Sequence, residues 1–188
     1  MMPPTTLPPI SSLPTVDDTT LKSVLDALFE PSADLHALIL PSIRDGPSAS
    51  YASLIEHVGI FMSQLANSSR NPDAVEKLHG ILGSHPRLGE KKVESAQSRA
   101  EQAHLNTSPD SREREDEAAK LKSLNEEYEA RFPGLRYVVF VNGRSRAVVM
   151  QNMRERIDRG DIQAEEREAI QAMVDIALDR SKKLQGIV

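Results

Sequence analysis

Of the five histidines in this sequence, His85 is placed best for moving a proton. Pro86 follows it and disfavours the α conformation at the residue before. The imidazole is therefore expected on an extended segment just past a helix end. Near its ordinary value of about 6.5, such a ring can give or take a proton at neutral pH. Further on, Ser98, Glu101 and Gln102 are spaced i, i+3, i+4 and share one helix face. A hydroxyl, a carboxylate and an amide on one face can grip a polar heterocycle rich in N–H and C=O groups. Their helix begins only a few residues after His85, so the two sets can converge. Arg180 lies roughly a quarter-turn from the centre of the last helix's apolar stripe, at about 100° per residue. From that edge a guanidinium can reach a carboxylate in a pocket. Each feature has a plainer reading, and taken singly the plainer reading weighs more. The histidine can be a surface or capping residue, the trio a solvated helix face, and the arginine a partner of Asp175 or Asp179.

The missing motifs narrow the chemistry. The sequence has no Gly-rich phosphate loop, no His-Glu-x-x-His and no Gly-x-Ser-x-Gly. Histidines 36, 57, 79, 85 and 104 show no metal-ligand spacing, and the absence of cysteine excludes disulfides and thiolate nucleophiles. Any enzyme built from these residues is expected to use acid–base and hydrogen-bond chemistry, without cofactor or metal. A net charge of −5 argues against nucleic acid as the main partner. No apolar run approaches the roughly 18–20 residues that span a bilayer, and no secretory leader is legible. The C-terminus, Gln185-Gly186-Ile187-Val188, lacks a Ser-Lys-Leu-type peroxisome address, which favours the cytosol.

These residues must be positioned by helices. A length of 188 residues predicts one domain with a real core. Residues 1–16, rich in Pro, Thr and Ser, are expected as a loose tail, with the helical domain over 17–188. Asp17, Asp18 and Thr19 offer N-caps to a stripe of Leu21, Val24, Leu25 and Leu28, ended by Pro31. A short helix from about Ser32 is expected to stop before Pro41. A third runs from about Ser50 to Ala66. Asn71-Pro72 starts a fourth that Gly83 ends. A loop holds Ser84 to Gly89, a helix runs from about Lys91 to His104, and a long charged helix from about Ser111 to Arg131. Tyr137 to Val141 reads alone as a strand, but no second strand of that quality exists to pair with it. An extended segment packed among helices is the better reading. Helices over about Ser145 to Arg159 and Ala164 to Leu184 close the chain. The expected fold is all-α, a single bundle of about eight helices with one short extended segment.

In this order the segments resemble the OHCU decarboxylase family, whose substrate is 2-oxo-4-hydroxy-4-carboxy-5-ureidoimidazoline. Phe29-Glu30-Pro31-Ser32 resembles its early Phe-Glu-x-Ser, and Tyr51-Ala52-Ser53-Leu54 its aromatic-Ala-Ser-Leu stretch. Ser84-His85-Pro86-Arg87-Leu88-Gly89 resembles the loop that holds its catalytic histidine. Ser98 to Gln102 matches Ser-x-x-Glu-Gln, and Leu124 to Tyr128 matches Leu-Asn-x-x-Tyr. Tyr137 to Val141, followed by Gly143-Arg144-Ser145, resembles its substrate-binding backbone segment. Ile176 to Arg180 matches its closing helix. The similarity covers about residues 20–185. Departures lie at Ser48-Ala49-Ser50, Ala103-His104-Leu105 and Phe132 to Arg136, at the pocket rim.

The resemblance implies a cofactor-independent decarboxylation giving (S)-allantoin, in a homodimer. It makes His85 and Glu101 catalytic, with His85 a proton donor or a base and Glu101 orienting it or holding the substrate hydroxyl. It assigns Pro86, Ser98, Gln102, Tyr137, Val138, Val139, Phe140, Val141 and Arg180 to substrate. The rival classes are a catalytically silent helical adaptor, with the charged helix as its partner surface, and a ureide-binding protein.

Overall fold

A computed structural model describes residues 6–68, 71–89, 96–102 and 111–186, without the side chains of Ala96, Glu101 and residues 111–115. Among these residues it contains eight α-helices, one 3-10 helix and no strand. The helices are α1 (Asp18–Phe29), α2 (Ala33–Asp45), α3 (Tyr51–Asn67), α4 (Pro72–Leu82), α5 (Ala96–Gln102), α6 (Ser111–Arg131), α7 (Arg146–Arg159) and α8 (Ile162–Leu184). The expected all-α bundle is what forms. Six starts follow the capping chemistry of the sequence. Asp17, Ser32, Ser50, Asn71, Ser145 and Asp161 each accept a backbone N–H of the first turn through their side chains, at about 1 kcal/mol apiece.

Helix α8 packs most extensively on α3 and then on α1, and α6 packs on α7. Leu21, Leu25 and Leu28 of α1, Ile55, Val58 and Met62 of α3, and Ala169, Met173 and Ala177 of α8 form a continuous apolar interior. Helix α6 is charged on most of its surface, yet Leu121, Asn125, Tyr128 and the following Phe132 are buried at i, i+4, i+7, i+11. One face of the charged helix is thus core.

Two expectations are corrected. The second helix does not stop before Pro41 but continues to Asp45 with the proline inside. Pro41 forfeits one hydrogen bond, while Leu35, Ile39 and Ile43 on the inner face are each at most 4% exposed. Burying that stripe offsets the lost bond. The loose tail does not extend over residues 6–16. Ile10–Thr15 is a 3-10 helix with Leu13 at 1% exposure. Arg44 donates to the carbonyls of Pro14 (2.8 Å) and Val16 (2.5 Å), and Tyr51 Oη donates to the Pro8 carbonyl at 2.8 Å. Residues 1–5 lie outside the described residues, as do 91–95 and 103–104 of the helix expected over Lys91 to His104, whose described part is α5.

Residues 136–141 are neither helix nor strand, and they run among the helices as expected. Tyr137 and Val138 are buried, and their unpaired peptide groups need partners other than a sheet. Arg156 of α7 donates to the Val138 carbonyl at 3.0 Å. Arg144 donates to the carbonyls of Phe140 and Val141. Arg156 is itself held by Glu165 of α8, which is fully buried and also accepts from Tyr128 Oη at 2.5 Å and Arg159 at 3.2 Å.

Candidate active site

The loop after α4, residues 83–89, buries His85 and Leu88, and three of its backbone groups are met by side chains. Arg136 donates to the His85 carbonyl at 3.1 Å, and Asn125 of α6 donates to the Leu88 carbonyl at 3.1 Å. Gly89 N–H donates to Oε1 of Gln102 at 2.9 Å. Arg87 forks onto Glu129 of α6 at 2.5 and 2.7 Å. Gly89 has φ 80, and a Cβ there would lie 2.5 Å from Leu121 Cδ2. Only glycine meets both conditions.

The loop forms one wall of a cavity of about 210 Å³. Pro86 and Leu88 stand beside His85 on that wall. Ser98 and Gln102 line it from α5, the backbone run Tyr137 to Gly143 faces them, and Ile176, Asp179 and Lys183 of α8 complete the lining. Lys183 and Asp179 pair with each other at 2.5 Å. The convergence expected between the His85 loop and the Ser98–Gln102 face therefore exists.

His85 is 6% exposed, and among the described residues neither ring nitrogen has a hydrogen-bond partner. Buried polar atoms are normally paired, so two ring nitrogens without a partner among the described residues mark this imidazole as a candidate site group beside the cavity. Burial and then the nearby Arg180 charge push this imidazole down to about 4, against an upward pull from Glu30. At neutral pH it is the uncharged ring, with one donor and one acceptor nitrogen.

Arg180 is placed differently from its expected edge position. It is 2% exposed, absent from the cavity lining, and paired with neither Asp175 nor Asp179. Its Nη2 donates to Glu30 Oε1 at 2.7 Å and to Ser98 Oγ at 2.9 Å, and Nη1 donates to the Leu28 carbonyl at 3.4 Å. Packing of the end of α1 and of Ser98 over α8 closes what single-helix periodicity left open. Glu101 sits on α5, but its side chain lies outside the described residues. Tyr137 lines the cavity, while its hydroxyl turns away to Asn152 at 2.6 Å and the Val149 carbonyl at 3.3 Å.

Sequence reasoning gave no role to Glu30, and the one trace of it was a letter in Phe-Glu-x-Ser. It also passed over Asn125, Arg136 and Arg156, whose contacts hold the loop and the extended segment. Among the described residues no group of three or more His, Asp or Glu side chains is placed to hold a metal ion.

A helical bundle with a partly open cavity, lined by polar and apolar groups, and an imidazole unpartnered among the described residues suits acid–base chemistry on a small molecule. The OHCU decarboxylase family model matches residues 14–182 of the 188, so the chain belongs to the OHCU decarboxylase family. That places it among carboxy-lyases of purine catabolism that act on a small-molecule substrate. A search of the curated proteins finds no match. No helix among the described residues is long and apolar enough to cross a membrane.

Proposed function

We propose that the protein converts 2-oxo-4-hydroxy-4-carboxy-5-ureidoimidazoline to (S)-allantoin and carbon dioxide, without a cofactor. The observation that carries this reading is the buried His85 ring, unpartnered among the described residues, facing an amide side chain and an extended backbone across one small cavity.

The substrate supplies its own electron sink. Its carboxylate is attached to a carbon that also bears a hydroxyl and adjoins a C=N bond. When the carbon–carboxylate bond breaks, its electron pair forms a carbon–carbon double bond and the imine nitrogen takes a proton. The resulting enol gives up its hydroxyl proton, and the neighbouring carbon gains one, which sets the S centre. A neutral His85 fits removal of the hydroxyl proton and its delivery to one face of the carbon. Gln102 and the Tyr137–Val141 backbone supply donors and acceptors for the ring and ureido groups. Glu101 is proposed to hold the hydroxyl or orient His85, with Pro86 and Ser98 shaping the pocket. Arg180 supplies positive charge from behind Ser98, which favours the anionic substrate carboxylate. The family resemblance also carries a homodimer, which sedimentation velocity reads directly.

The test is decay of freshly generated OHCU followed by absorbance and circular dichroism. The expected outcome is accelerated loss with one allantoin enantiomer accumulating. Binding of allantoin without accelerated decay would make the protein a ureide-binding module, and neither would favour the adaptor.

A further inference from the structure

Helix α1 ends on an uncommon backbone. Glu30 has φ 83 and ψ 154, a region that glycine enters freely and other residues at a cost of order 1–3 kcal/mol. Ending the helix does not require a glutamate there, since Pro31 already prevents its continuation. A glycine would adopt these angles without the penalty. The reason for glutamate must lie in its side chain.

That side chain is 2% exposed. Its Oε1 accepts from Ser98 Oγ at 2.6 Å and from Arg180 Nη2 at 2.7 Å, and Nη2 also donates to Ser98 Oγ at 2.9 Å. Three groups from the end of α1, from α5 and from α8 close a triangle. One of its corners, Ser98, lines the cavity. Burial opposes ionisation of Glu30, but the Arg180 charge and the Ser98 hydrogen bond outweigh it, and the carboxyl stays below its ordinary range. A guanidinium at 2% exposure needs such a counter-charge, because an unpaired buried ion is strongly unfavourable.

We propose that Glu30 is a positioning residue of the decarboxylation site, acting through Arg180 and Ser98. Its carboxylate holds the guanidinium in one orientation behind Ser98. The strained backbone at residue 30 is the conformation that delivers the carboxylate to that point. This inference rests on the proposed reaction for its catalytic consequence and on the geometry alone for its structural one.

The experiment compares wild type, Glu30→Gln, Glu30→Asp, Arg180→Gln and the double variant Glu30→Gln/Arg180→Gln. OHCU turnover is read as separate kcat and KM. Side-chain NMR of arginine-labelled protein follows the Arg180 guanidinium, its signals assigned by their loss in Arg180→Gln. Glu30→Gln keeps the shape and removes the charge, and it is expected to lower kcat by about 10–100-fold, as misplacement of binding groups does. It should also turn resolved Arg180 Nη signals into averaged ones. Glu30→Asp keeps the charge and should recover at least about tenfold of that loss. In the Arg180→Gln background, adding Glu30→Gln should change turnover by less than about twofold, since a residue acting through another has nothing left to act on. Should Glu30→Gln fail to fold, this last comparison still decides. A folded Glu30→Gln enzyme with wild-type kcat overturns the proposal, and so does a further tenfold loss in the double variant. Absence of turnover in wild type sinks the proposed reaction instead. In that case unchanged Arg180 signals in Glu30→Gln refute the positioning role, and averaged signals support it.

Discussion

Arg156→Met tests what holds the ligand-facing segment. The Arg156 side chain is 4% exposed, donates to Glu165 through Nε at 2.8 Å and through Nη2, and donates to the Val138 carbonyl at 3.0 Å. Its guanidinium lies 4.7 Å from the Tyr137 ring centroid. Methionine fills much of the same volume, so the loss is chiefly electrostatic. Breaking a buried ion pair from one side costs about 3–5 kcal/mol, because the other charge stays buried. Glu165 keeps Tyr128 and Arg159 as partners, which argues for the lower end. The orphaned Val138 carbonyl adds about 1–3 kcal/mol. Together these make about 4 kcal/mol, or a fall in Tm of about 8–16 °C for a chain of this length. Arg156→Met/Glu165→Leu removes both charges and should recover at least about 2 kcal/mol, since apolar replacement of a buried pair is often close to neutral. Urea and thermal unfolding followed by circular dichroism at pH 7.5 give both values. A single variant that loses less than about 1 kcal/mol, or a double variant no better than the single, would falsify the view that this pair braces the segment.

Two further variants test the cavity. His85→Gln should keep the fold at neutral pH and lose about 10²–10⁴-fold in turnover, and a folded variant with near-normal turnover removes His85 from the chemistry. It should also flatten the pH dependence of stability. The folded imidazole is held at about 4 and the free one titrates at 6.5, so the unfolded chain binds more protons between those values. The neutral ring's contribution is complete above pH 6.5 and is lost as pH falls through about 4. At about 1.4 kcal/mol for each pH unit of separation the loss is about 3 kcal/mol. Denaturant titrations from pH 8 to pH 4 check it, and equal slopes for wild type and His85→Gln would contradict it. Gln102→Ala should weaken allantoin binding by about 1–3 kcal/mol in calorimetric titration. Unchanged affinity would limit Gln102 to its contact with Gly89.

The helices were legible because their signals are local. Caps such as Asp17 and Asn71, and the Leu21, Val24, Leu25, Leu28 stripe, are read within one or two turns, and the structure uses them as read. Tyr137 to Val141 was read correctly against its own propensity, because a lone strand has no partner to pair with. What failed was non-local. The Pro-rich N-terminus is anchored by Leu13 and by Arg44, which reaches it from roughly thirty residues away, and composition carries no trace of that. Arg180 looked like an edge residue because periodicity sees one helix, while its partner Glu30 lies 150 positions earlier. The stripe Leu121, Asn125, Tyr128, Phe132 was readable in principle, but with charges covering the rest of α6 and a polar residue among its members it passed for surface.

Asn125 shows why motif letters and chemistry must be separated. Within Leu-Asn-x-x-Tyr its amide is 3.1 Å from the Leu88 carbonyl, and the Tyr128 hydroxyl points to Glu165. Neither residue lines the cavity. Arg87, within the loop, ties it to Glu129 of α6, and Arg136 binds it through the His85 carbonyl. The loop's peptide groups need partners, and three side chains supply some of them, Gln102 of α5, Asn125 of α6 and Arg136. The His85 main chain is thereby held while its ring nitrogens have no described partner. Rigid backbone under an uncommitted side chain is the arrangement that places a proton-transfer group without occupying it. By that criterion His85 is the candidate for touching substrate, and Gln102 and the residues of 137–141 are candidates because they line the same cavity. Asn125, Tyr128, Arg136 and Arg156 stand one contact further out, where their hydrogen bonds hold the loop and the extended segment.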